Sequence, residues 1–226
     1  MNLNPFGPHI IRQGNVPTVR SLLLALLIAA AVNPAAAAVL SIKVVTPEGR
    51  PVADAVVTLK PVDGPATPPK VGRGYRVDQK DIQFHPFVSV VPVGAEVSFP
   101  NLDPTKHHVY SFSPAKRFEL KLFAKDQSRS VVFDKSGVVS IGCNIHDQMS
   151  AYIFVTDTAW TAKTDASGVV TFRDAPARAV TAAVWHPSLR APGGVMSRQL
   201  TPGAAPTTET FTARLRPPPV HGMSAY

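Results

Sequence analysis

The chain has 226 residues, 45% of them hydrophobic and 17% charged, with a formal net charge of +8 and a single cysteine. That apolar fraction suits a packed core and excludes a disordered chain, while one cysteine excludes a disulfide-stapled scaffold. The basic balance suits acidic protein partners or an anionic membrane surface; without basic clusters or interleaved aromatics it gives no support to nucleic-acid binding.

Residues 1–38 read as a secretory signal. Arg12 and Arg20 precede the apolar run 22–32, and Ala36-Ala37-Ala38 offers small residues for cleavage ahead of Val39. The run is well short of the roughly 20 residues a spanning helix needs. The expectation is an exported, periplasmic protein with no stable membrane insertion after cleavage. In that compartment an unpaired cysteine has four fates: intermolecular pairing, plain burial, a reactive thiol, or metal ligation.

From residue 39 to 157 the signals are short, rich in Val, Ile, Phe and Tyr, and bounded by Gly, Pro, Asp or Asn. They predict strands at 39–45 and 55–59 around the turn Thr46-Pro47-Glu48-Gly49, then a Pro- and Gly-rich linker over 61–74. Strands follow at 87–91, 96–99, 107–112, 118–123, 130–133, 138–141 and 151–155. The stretch Phe118-Glu119-Leu120-Lys121-Leu122-Phe123 alternates strictly, as a half-buried strand does. The C-terminal part repeats this style, with a turn over 164–168 leading into a strand, further strands at 180–185 and 208–215, loops at 191–194 and 201–206, and a tail over 217–226. So many short strands indicate an all-β, antiparallel sandwich or barrel.

The chemistry concentrates in Gly142-Cys143-Asn144-Ile145-His146-Asp147-Gln148-Met149, between a strand ending near 141 and one starting at 151. Spacings of two residues from Cys143 to His146 and from His146 to Met149 let one tight loop fold a thiolate, an imidazole and a thioether around one centre. A second imidazole must come from the strand that opens with His107-His108. Adjacent strand residues face opposite sides, so these two cannot both reach one metal, and alternation alone does not say which does. A soft thiolate, two imidazoles and a weak axial methionine make an electron-transfer copper site. Zinc is the rival for Cys and His, but methionine is an unusual zinc ligand. His85 reads as a surface residue, His186 as structural, and His221 lies in the tail.

Cys-x2-His-x2-Met in a strand-connecting loop resembles the type 1 copper loop of the cupredoxins (the plastocyanin and amicyanin kind), closest to amicyanin in spacing. The upstream run Asn101-Leu102-Asp103-Pro104-Thr105-Lys106-His107-His108-Val109 is similar to the Asn-bearing segment that carries their first histidine. The chain also resembles proteins labelled methylamine utilization protein, through Cys143-Asn144-Ile145-His146-Asp147 and His107-His108-Val109-Tyr110-Ser111-Phe112-Ser113. The strong part of the match covers about 79–157. The resemblance implies a Greek-key cupredoxin sandwich over 75–157 and one type 1 copper held by His107, Cys143, His146 and Met149. His108 then either supports the loop by hydrogen bonding or is a surface residue. Residues 44–59 resemble the opening hairpin of carboxypeptidase regulatory-like domains, and 164–184 look like the strands that follow it. That implies a smaller sandwich of the immunoglobulin or transthyretin kind, split between 39–74 and 158–216, with the copper domain inserted; a single decorated sandwich is the alternative.

The function expected is single-electron carriage between Cu(II) and Cu(I), with His146 as the exit. A c-type cytochrome or a quinoprotein dehydrogenase is the partner that the resemblance implies. The alternative is a copper carrier or sensor, which would favour exchangeable Met- or His-rich sites that the chain lacks. A scaffold that has lost its metal is disfavoured by the complete ligand set. An enzyme is not expected, because four protein ligands leave no open position for a substrate.

Overall fold

The computed structural model describes residues 38–217; the expected signal segment, His221 and most of the expected tail lie outside them. The described residues form seventeen strands and one short 3-10 turn at Pro192–Gly194. In chain order the strands are β1 (Ala38–Val45), β2 (Val56–Pro61), β3 (Tyr75–Arg76), β4 (Asp78–Lys80), β5 (Gln83–His85), β6 (Val88–Pro92), β7 (Ala95–Pro100), β8 (His107–Ser113) and β9 (Lys116–Phe123). They continue as β10 (Ser128–Phe133), β11 (Gly137–Gly142), β12 (Ser150–Thr156), β13 (Thr161–Lys163), β14 (Val169–Ala175), β15 (Val180–Trp185), β16 (Val195–Leu200) and β17 (Thr207–Thr212). No helix among the described residues is long and apolar enough to cross a membrane.

Two cores organise these strands. In β1 the residues Ala38, Leu40, Ile42 and Val44 are buried while Lys43 is exposed, because side chains alternate across a strand. That apolar row packs with Val57 and Leu59 of β2, Val170 and Phe172 of β14, Val184 of β15 and Phe211 of β17. The sheets around this core run β14-β1-β17 and β13-β2-β15-β16, so strands from both ends of the described chain share one interior. The expected turn before β14 is built by Asp165, whose carboxylate accepts from the N–H groups of Ser167 and Val169. Gly168 is required there: its φ is +74°, and a Cβ would lie 2.6 Å from the Val44 carbonyl.

The second core holds Val77, Phe84, Val97, Phe99, Val109, Phe123, Phe133, Ile141 and Ile153. Burying each such side chain contributes about 1.5–3 kcal/mol. It is a cupredoxin-like β-sandwich of a five-stranded sheet, β6-β12-β11-β8-β9, and a three-stranded sheet, β10-β7-β3, with the β4-β5 hairpin beside them. The two interiors meet through Val56, Val88 and Trp185, the indole packing at 5.7 Å from both Tyr152 and Phe154. Lys163 ties the same region, donating to Asp54 Oδ1 and to the Val88 carbonyl at 2.6 Å each.

The expected strands all form, within a few residues at their ends. The segments Tyr75–Arg76, Asp78–Lys80, Gln83–His85, Thr161–Lys163 and Val195–Leu200 are additional strands. The pairing is also not purely antiparallel: β1 with β17, β3 with β7, and β6 with β12 run parallel. Each parallel pair joins segments distant in sequence, as crossover connections require, and residue patterning does not encode that choice.

Candidate metal centre

His107 opens β8, and the loop before it is tied down by one fully buried side chain. Asn101 Nδ2 donates to the carbonyls of Thr105 (2.8 Å) and Phe123 (3.1 Å), and its Oδ1 accepts the Asp103 N–H at 2.9 Å. This holds Asp103, 5% exposed, against the histidine: His107 Nε2 lies 2.7 Å from Asp103 Oδ2. The carboxylate also accepts the N–H groups of Asp81 (2.7 Å) and Ile82 (3.0 Å). Burial pushes the Asp103 carboxyl upward, but the Ile82 N–H, His107 and the Asp81 N–H outweigh it and hold it below the usual 3.8. An ionised carboxylate only accepts, so Nε2 carries a proton, and in the neutral imidazole this leaves the lone pair on Nδ1.

Asp81 and Ile82 form the two-residue turn between β4 and β5, with φ of 55° and 57°. Such hairpin turns favour Asn-Gly; a β-branched residue at positive φ is strained by about 1–3 kcal/mol. The strained turn aims two amide groups at one buried carboxylate.

The other donors come from the loop between β11 and β12. Its ends are closed by the Cys143 N–H donating to the Met149 carbonyl (3.1 Å) and the Met149 N–H donating to the His146 carbonyl (2.9 Å). Cys143 and Met149 are buried and His146 is half-buried. Cys143 Sγ lies 3.9 Å from His107 Nδ1 and 3.7 Å from His146 Nδ1. The three donor atoms all fall within 4.8 Å of one another. Metal–sulfur and metal–nitrogen bonds of about 2.3 and 2.05 Å at a trigonal angle separate S and N by about 3.8 Å. The residues therefore fit one thiolate-preferring metal ion. Met149 supplies the loop-closing backbone and lines the same cleft, about 450 Å³, as Cys143, Tyr110 and Phe112.

His108 points elsewhere, as alternation requires. Its Nε2 lies 2.9 Å from Glu119 Oε1 on β9, its ring neighbours Tyr110, and its Nδ1 meets no protein partner. Its hydrogen bond thus joins two strands and does not brace the Cys143 loop. His85 is exposed; His186 is half-buried and accepts the Ser188 N–H at 3.1 Å. Residue patterning missed Asp103: nothing in its spacing marks it, because its contact with His107 depends on the path of an irregular loop.

No protein-family model matches the sequence, and a comparison with curated proteins finds no match. Among solved structures, a purple cupredoxin from Nitrosopumilus maritimus is 19% identical, with 37% of this chain and 100% of that one aligned at a TM-score of 0.34. A reduced amicyanin variant is 22% identical over 40% of this chain and 97% of its own, at a TM-score of 0.34. An oxidised amicyanin variant is 18% identical over 46% and 99%, at 0.35. Likeness at this level carries no function with it.

Proposed function

We propose that the chain is a periplasmic electron carrier that holds one type 1 copper ion through His107 Nδ1, Cys143 Sγ and His146 Nδ1, with Met149 as the weak axial donor. The observation that supports it most is the Sγ-to-nitrogen spacing of 3.9 and 3.7 Å around a buried cysteine. When bound, copper would supply a one-electron change between Cu(II) and Cu(I). The protein's part is to keep the thiolate dry, to hold His107 by Asp103, and to restrict the loop by its two backbone hydrogen bonds. Half-buried His146 is the outlet toward a redox partner such as a c-type cytochrome or a quinoprotein dehydrogenase. Four protein donors leave no position for a substrate, so the role is not enzymatic. The metal-holding sandwich over 75–157 is an insertion within the smaller one.

The test is the visible spectrum of the mature protein with added Cu(II). An intense thiolate-to-copper band is expected, lost in Cys143→Ala and His107→Ala and retained in His108→Ala. A colourless protein that binds zinc tightly and copper loosely would sink the proposal. Cycling the bound copper between oxidation states beside a Cu(I) chelator separates electron carriage from metal delivery: a carrier of electrons keeps its copper.

A further inference from the structure

We propose that Asp103 is a positioning residue that biases the centre toward the oxidised ion and so lowers its reduction potential. This rests on the copper reading above. Orienting His107 needs only an acceptor at Nε2, and a backbone carbonyl or a water would serve. The chain instead places a full negative charge there, 5% exposed and 2.7 Å from the ring nitrogen. Such a burden is retained against its desolvation cost by three hydrogen bonds, two of them from the strained Asp81-Ile82 turn. The turn is braced against the same loop, with the Leu102 N–H donating to the Gln79 carbonyl at 2.8 Å.

A carboxylate at one nitrogen of an imidazole makes the other a stronger donor. The gain is larger for a dication than for a monocation. The Cys143 thiolate and the Asp103 carboxylate together balance Cu(II), whereas Cu(I) leaves one uncompensated negative charge in a buried site. Both effects oppose reduction.

The experiment uses the copper-loaded mature chain and compares it with Asp103→Asn by redox titration, with Cu(II) and Cu(I) affinities from chelator competition. Wild type is first required to show the thiolate-to-copper band; without it the copper reading itself fails. Asp103→Asn is expected to bind Cu(II) about 10–100-fold more weakly with Cu(I) affinity much less affected. At 59 mV per tenfold for one electron, the potential rises by about 60–120 mV. Asn offers one acceptor oxygen where Asp103 faces three donors, so Asp103→Ser is measured beside it and is expected to shift in the same direction. A banded wild type whose variants weaken both oxidation states equally, at unchanged potential, overturns the inference. Loss of copper in both states from both variants also overturns it, leaving Asp103 a structural residue.

Discussion

Asn101→Ala should be among the most damaging single substitutions in this sandwich. The side chain is fully buried and makes three hydrogen bonds, to the Asp103 N–H and to the Thr105 and Phe123 carbonyls. Truncation deprives Asp103 N–H and Phe123 C=O of a partner inside the protein, at about 1–3 kcal/mol for each buried group left short. The sum is about 2–6 kcal/mol, a large share of the roughly 5–15 kcal/mol that holds a domain folded. With a urea slope near 2 kcal/mol/M, the unfolding midpoint of the metal-free protein should fall by about 1–3 M. The slope itself should not change. A midpoint shift smaller than about 0.3 M, under roughly 0.6 kcal/mol, would falsify the assignment of Asn101 as the residue that ties the loop to β9.

Two further substitutions probe the surroundings. Gly142→Ala puts a Cβ 3.1 Å from the Cζ and hydroxyl oxygen of Tyr110, and crowding of this kind costs about 1–3 kcal/mol. In a Tyr110→Ala background the same substitution should cost much less, and an undiminished cost there counts against the contact. Burial lowers the His186 pKa from its ordinary 6.5, with the Asp54 carboxylate acting in the opposite sense. The unfolded chain then takes up a proton more readily than the folded one. Its contribution is complete above pH 6.5 and declines as pH falls from there toward the folded value. Urea midpoints between pH 5 and 7.5 should therefore fall less steeply on acidification in His186→Gln than in wild type; parallel curves would remove His186 as the cause.

What was legible in the sequence was set by length and local chemistry. Phe118 to Phe123 and Val180 to Trp185 carry several residues of strand pattern and form β9 and β15. Segments of two or three residues such as β3, β4 and β5 are too short for a period of two to register. The edge strand β16, Val-Met-Ser-Arg-Gln-Leu, is mostly exposed and lacks the apolar rhythm. At the site, the spacing of Cys143, His146 and Met149 was readable because all three sit on one short loop. The separation of His107 from His108 was readable because alternation is a property of any strand. Asp103 was not, since its other partners lie at residues 81 and 82, brought in by a strained hairpin. Nor was the Glu119 partner of His108, which depends on the register of β8 against β9 past an irregularity between His107 and Val109.

The residues of the site therefore owe their placement to two different devices. His107 is fixed from outside its own strand, by Asn101 and Asp103 and, through Asp103, by the Asp81-Ile82 turn. Cys143, His146 and Met149 are fixed from within, by a loop that closes on itself through two backbone hydrogen bonds. Neither device uses a metal. A centre so held resists rearrangement when its charge changes, which fits the one-electron role proposed above better than delivery of the ion. A metal-delivery protein needs the opposite: donors that leave easily. The hydrogen-bonded bracing of His107 on one side and of the Cys143 loop on the other is the physical ground on which the proposal above prefers electrons over ions as the cargo.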